Sequence, residues 1–292
     1  MNLSNFGLDS ITLAGPLAAR LAACRAAGFS QIMLWARDLA EHPGGLEDAV
    51  RVVRGSGLRV TGLQVMRDYE GLDGALHEYK LDIARQLLRV CKAVGARLLV
   101  VSSSTSGHAG GERGRIARDL AKLANSAVPL GVKIGYEAQC WGRHVNGWEQ
   151  AWEVVDMAAH ANLGVVLDSF HMLAGGDALE GLEDIPSEKI ALVQLSDFML
   201  RALRSAEERI TTAGHLRVFP GEGCHSAELS AMLRRLDRSG YRGSYSLEIV
   251  NDDYLQLPPE VVCERALMAA KWITDQVLRR SLQVRAYAGR TL

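Results

Sequence analysis

The feature that most constrains this chain is a rhythm. A short apolar run, a loop and a longer amphipathic segment follow one another along nearly its whole length. Eight runs read as strands: residues 6–11, 31–35, 59–66, 97–102, 132–137, 164–168, 190–196 and 244–250. Between them, residues 17–27, 79–94, 116–128, 148–160, 229–239 and 259–278 space their apolar side chains by three and four, as helices do. Several helices end in glycine before the next strand, at Gly28, Gly57, Gly95, Gly131 and Gly240, a residue suited to the turn that closes a helix. Strands alternating with helices are parallel strands joined by crossovers. Their two faces are both covered, which is why the runs are nearly continuously apolar. Eight units predict an α/β fold, a single-domain (β/α)8 TIM barrel over residues 1–280 with a tail at 281–292. The rival, an open doubly wound sheet, lacks a GxGxxG after its first strand. A length of 292 residues could hold two average domains, but α/β barrels of about 200–250 residues are commonly one.

Charge removes several function classes. Lys and Arg total 33 and Asp and Glu 34, a formal net charge of −1, so neither a nucleic-acid wrapper nor a polybasic membrane binder is expected. Five scattered cysteines without a CxxC pair give no disulfide framework and no thiolate zinc site. The N-terminus does not read as a signal peptide, and no run of about 18 apolar residues could span a membrane. A cytoplasmic protein is expected, with assembly into a homo-oligomer left open. No GxSxG, HExxH or P-loop motif occurs. Trp148 and Trp152 sit at helical spacing and are expected in the core.

The polar residues at the strand ends carry the chemistry. Run five ends in Glu137, run six in Asp168, run seven carries Gln194 and Asp197, and run eight reaches Glu248. One such acid is usually a helix cap or an arginine partner. A series at the same position of successive units is hard to explain by packing, because burying an unpaired carboxylate costs several kcal/mol. In a barrel these side chains converge, and converging carboxylates repel unless a cation lies between them. Oxygen donors without cysteine favour Mg²⁺ or Mn²⁺, with Co²⁺ and Zn²⁺ also compatible.

His171 follows Asp168 by three residues, one turn on if a helix starts there, and is the acid/base candidate. His144 follows Glu137 in CWGRHVN; His215 and His225 flank Arg217 and the PGEG turn. Arg67, Arg143 and Arg217 lie near strand ends, where a guanidinium can clamp an anion. Tyr69 and Ser102, Ser103 and Ser104 can add hydrogen bonds. Two long connections, residues 102–114 and 197–223, follow the fourth and seventh runs and belong to the active face of a barrel.

The segments KIGYEAQCWGRHVNGWEQAW, VVLDSFHMLAGGD, IALVQLSD, RVFPGEG and YSLEIVNDD resemble the xylose-isomerase-like TIM-barrel superfamily and, within it, the bacterial 3-dehydroshikimate dehydratases. LQVMRDYEG and LLVVSSSTS agree. The resemblance implies a divalent metal held by Glu137, Asp168, Gln194 and Glu248, acid/base chemistry by His171 with His144 nearby, and an anionic small-molecule substrate bound by Arg67, Arg217 and Ser102. It implies a hydro-lyase that turns 3-dehydroshikimate into protocatechuate and water in quinate and shikimate breakdown. Many sugar isomerases of the superfamily have histidine where Gln194 stands. Glu222 departs from the glutamine expected in the PGEG turn. Some relatives carry a dioxygenase-like domain after the barrel, for which this chain leaves no room. The competing expectations are a sugar or polyol isomerase or epimerase, in which Glu137 and Glu248 shuttle a proton, an inosose-type dehydratase, a metal-dependent nuclease, and a non-catalytic binding barrel. A nuclease would need more histidine ligands and a basic surface.

Overall fold

A computed structural model describes residues 3–279. Eight strands close into an all-parallel barrel: β1 Phe6–Asp9, β2 Gln31–Trp35, β3 Arg59–Met66, β4 Leu98–Ser102, β5 Lys133–Glu137, β6 Leu163–Asp168, β7 Ile190–Leu195 and β10 Tyr245–Leu247. Closure joins β1 to β10, with Phe6 opposite Tyr245 and Leu8 opposite Leu247. The fold class read from the sequence is the observed one. The expected tail, residues 281–292, lies outside the described residues. No described helix is long and apolar enough to cross a membrane.

The helices are α1 Leu17–Ala26, α2 Ala36–Ala40, α3 Gly45–Gly55, α4 Gly74–Val94, α5 Arg113–Ala127, α6 Trp148–Ala158, α7 Ser169–Gly175, α8 Ala206–His215, α9 Ser226–Arg238 and α10 Pro259–Trp272. At the end of α4, Gly95 has φ +80° and its N–H reaches the Cys91 carbonyl, the left-handed closure that only glycine takes without strain. The main core lies between barrel and helices and includes Trp148, with Trp152 packed against it. A separate small cluster of Met33, Leu98, Val100, Val166 and Leu192 fills the barrel interior.

That inner plug positions the polar end. Side chains two residues apart on a strand share a face. Val166 therefore puts Asp168 on the inner face one step further along, Leu192 does so for Gln194, and Val100 for Ser102. Asp168 and Gln194 are register partners, as are Ser102 and Glu137.

Three strands end earlier than the sequence reading: β1 at Asp9, β10 at Leu247, and β7. β7 stops at Leu195, and Asp197 opens a short antiparallel hairpin, β8 Asp197–Phe198 with β9 Arg217–Val218. Asp197 Oδ1 accepts the backbone N–H of His225 at 3.2 Å and lies 3.1 Å from its Nδ1, while Oδ2 is buried without a partner; the hairpin keeps Asp197 out of the cavity lining, apart from the other acids. The expected loop 197–223 is this hairpin plus α8, whose start is a capping box between Ser205 and Glu208.

Candidate active site

Asp168 caps α7, accepting the Phe170 N–H at 2.7 Å. Aspartate is a preferred N-cap because its carboxylate satisfies an orphan N–H at the helix start. The cap fixes where α7 begins, and His171 then falls one turn on, its Nε2 3.8 Å from Asp168 Oδ2. Ligand-capable atoms of Glu137, Asp168 and His171 lie within 4.8 Å of one another, and all three residues are buried. Glu248 and Gln194 complete the group, Gln194 Nε2 donating to Glu248 Oε2 at 2.8 Å. The structure thus brings together Glu137, Asp168, Gln194, Glu248 and His171.

The group is short of positive charge and of donors. Arg217, buried on β9, donates from Nη1 to Asp168 Oδ2 at 2.8 Å and Glu248 Oε2 at 3.4 Å. Its Nε is used by the Ala213 carbonyl, and its plane lies 4.5 Å from the Phe170 ring centre. One guanidinium faces three carboxylates, which exceed it by two charges when all are ionised. The Glu137 side chain accepts no hydrogen bond from the described residues. Burial drives its pKa well above the ordinary carboxylate value, and Asp168 and Glu248 push it further. Burial likewise raises Glu248, and Arg217 only partly counters this. Gln194 Oε1 is buried with no hydrogen-bond partner. A carbonyl oxygen without a donor, beside acids left two charges short, fits a divalent cation. Glu137, Asp168, Gln194 and Glu248 could hold it through oxygen, a donor set suited to Mg²⁺ or Mn²⁺ and open to Zn²⁺ or Co²⁺.

His171 is neutral. Burial lowers its pKa to about 4, against the pull of Asp168. Its Nδ1 accepts the N–H of Cys140 at 3.3 Å and lies 3.5 Å from Cys140 Sγ. Trp141 packs against the imidazole edge-on at 4.8 Å.

A cavity of about 340 Å³ opens onto these groups, lined also by Trp35, Gln64, Arg67 and Trp141 and by Ile210 and Ala213 of α8. Arg67 is exposed at its wall, and its guanidinium makes no hydrogen bond or ion pair with the described residues. Its loop is held by the next one. Asp68, at φ +52°, accepts the N–H groups of Thr105 and Ser106 at 2.8 and 3.1 Å. Glu70 accepts the Ser104 N–H at 2.6 Å and the Tyr136 hydroxyl at 2.9 Å.

Other expected residues lie elsewhere. His144 does not line the cavity; its Nε2 contacts the Ala109 carbonyl at 2.9 Å. Ser102 is buried beside Glu137 with its hydroxyl unpartnered. Ser103 accepts the Gln139 N–H at 2.9 Å, and Ser104 hydrogen-bonds Asp68, so both join loops. Tyr69 is buried outside the cavity lining. His215 pairs with Asp252. Glu222 ties the PGEG turn to α10: it accepts the Tyr254 hydroxyl at 2.6 Å, the Phe219 N–H at 3.2 Å and Arg265 Nε at 3.0 Å. Sequence reasoning missed Gln64 and α8. The S-A-E-E capping signature at 205–208 could have revealed the helix; nothing local marks Gln64.

The sequence pattern of the xylose isomerase-like TIM barrel family matches residues 21–273. The 3-dehydroshikimate dehydratase of Pseudomonas aeruginosa is 38% identical over 276 residues, 94% of this chain and 42% of that protein. The inosose isomerase of Bacillus subtilis is 28% identical over 229 residues, 73% of this chain and 72% of the relative. Among solved structures, a xylose isomerase-like TIM barrel/4-hydroxyphenylpyruvate dioxygenase fusion protein superposes with a TM-score of 0.89 at 31% identity, covering 97% of this chain and 45% of the fusion. The chain spans less than half the length of the dehydratase and of the fusion protein it matches.

Proposed function

The chain belongs to the xylose isomerase-like TIM barrel family, and from that premise we propose that it is a divalent-metal-dependent hydro-lyase that converts 3-dehydroshikimate to protocatechuate and water. The observation that carries the reading is the pairing of a donor-poor carboxylate and amide cluster with an unpaired Arg67 across one cavity. Such a site suits a small anion that bears a ketone and hydroxyls. Likeness to the Pseudomonas aeruginosa dehydratase over 94% of this chain supports the choice of substrate.

A divalent cation bound at the cluster would act as a Lewis acid on the ketone. Arg67 binds the ring carboxylate through a charge-assisted fork. Arg217 holds Asp168 and Glu248 in place, and its Nη2, which makes no hydrogen bond to the described residues, is left for a substrate oxygen. His171 takes the proton next to the ketone at Nε2, in the tautomer that turns its own Nδ1 proton to Cys140 Sγ and gives up the bond from the Cys140 N–H. It then returns that proton to the departing hydroxyl, which leaves as water. Loss of one water from the ring leaves the aromatic product. Trp141 and Ile210 keep solvent from the ring face.

Incubation with 3-dehydroshikimate and Mn²⁺ or Mg²⁺, followed by ultraviolet absorbance, tests the reading; an aromatic product is expected. The second reading, an inosose-type isomerase, is favoured by the Bacillus subtilis relative and by the presence of both Glu137 and Glu248. An enzyme that interconverts neutral inososes and ignores 3-dehydroshikimate would replace the first reading with the second.

A further inference from the structure

We propose that Gln64 is a positioning residue that fixes the amide of Gln194, so that Gln194 presents its oxygen to the divalent cation. The inference rests on the metal reading above and adds to it a residue on β3, across the barrel from the other ligands.

A glutamine amide has a donor end and an acceptor end, and only the acceptor end can hold a cation. Nothing within Gln194 chooses between them. Its Nε2 donates to Gln64 Oε1 at 2.9 Å and to Glu248 Oε2 at 2.8 Å, which uses both amide hydrogens. Gln64 is oriented in turn by Glu248, because its Nε2 donates to Glu248 Oε1 at 3.1 Å and an ionised carboxylate only accepts. A half-turn of Gln64 would set its carbonyl against a carboxylate and its NH2 against an NH2. The three side chains therefore form a closed ring with one consistent direction. Gln194 Oε1 is the atom left over, buried and unpartnered. Gln64 is only 5% exposed, at the wall of the cavity.

Groups that orient metal ligands are typically worth 10–100-fold in metal affinity. Gln64→Met removes both hydrogen bonds at nearly constant volume. The dissociation constant of Mn²⁺ is measured by calorimetry on the metal-stripped full chain, for wild type, Gln64→Met, Gln194→Ala and the double variant. We expect roughly tenfold or greater weakening in Gln64→Met, most of which disappears in the Gln194→Ala background because the amide it directs is gone. Melting temperatures of the stripped proteins should not follow this pattern, whereas a purely structural role would move them and leave the two losses independent. If Gln64→Met does not fold, Gln64→Leu enters the same scheme. Mn²⁺ binding equal to wild type in the Gln64 variant, or an undiminished loss in the Gln194→Ala background, overturns the proposal. A wild-type protein that binds no Mn²⁺ overturns the metal reading itself, which is a different result.

Discussion

Two carboxylate clusters sit near the same end of this barrel and are built on opposite principles. Glu222, in the turn after β9, has both oxygens spent, on Tyr254, Phe219 and Arg265; Arg265 also stacks 4.5 Å over the Tyr254 ring. Glu137, at the end of β5, is buried among two other acids with no donor from the described residues. The first cluster is complete as it stands and serves the fold. The second leaves buried acceptors without donors, as the proposed cation site would require. Lack of partners in a buried place, rather than acidity, separates them.

The comparison breaks most sharply if the incomplete cluster proves to be structural. Chelation, or Glu137→Ala, should reduce dehydration by more than about 10³-fold, since a Lewis acid supplies several kcal/mol of transition-state stabilisation. Circular dichroism should show the fold intact. Normal turnover in chelator would remove the metal from the account. His171→Ala should lower kcat by about 10²–10⁴ while Mn²⁺ still binds, the usual size of a lost acid/base group. An unchanged kcat would move the proton transfer to another residue. Arg67→Ala should raise KM about tenfold or more with kcat nearly kept, the cost of one charge-assisted pair being about 1.5–3 kcal/mol. A loss confined to kcat would take Arg67 out of substrate binding.

A smaller effect concerns pH. Glu137 and Glu248 are raised above ordinary carboxylates, chiefly by burial, so the metal-free fold binds more protons there than the unfolded chain does. Their contribution to its stability is full below the unfolded carboxylate pKa and is lost as pH rises through the folded values. A cation needs both ionised, so the gain in Tm on adding Mn²⁺ should grow from mildly acidic to neutral pH. A constant gain would mean that these acids are not the ligands. The smallest effect is expected at the complete cluster. Glu222→Gln should leave kcat and KM unchanged and lower Tm by a few degrees, at about 2–4 °C per kcal/mol.

The sequence made the barrel legible because buried parallel strands must be continuously apolar, and all eight strand starts fall within one residue of those read from it. Glu137, Asp168, Gln194 and Glu248 were legible because a polar residue closing such a run has little reason to be there on packing grounds. Asp168 and His171 could be placed together because a capping aspartate sets the helix phase. Gln64 was hidden, since it lies inside LQVM with no spacing to flag it and acquires meaning only from partners 130 and 184 residues away. Glu222 looked anomalous for the same reason: Tyr254 and Arg265 reach it only after the chain has closed. His144 looked catalytic by neighbourhood, but a loop carbonyl occupies its Nε2.

Barrel closure between β1 and β10 also sets an order of events during synthesis. Glu248 lies just past the last strand, and the seam that locks it in place pairs residues near 6 with residues near 245. A nascent chain that has not yet delivered Glu248 from the ribosome has an open barrel with an unpaired edge on either side. It can own Glu137, Asp168 and Gln194 and still lack a cage. On the proposed reading, a cation would meet its full set of four donors only in the finished barrel.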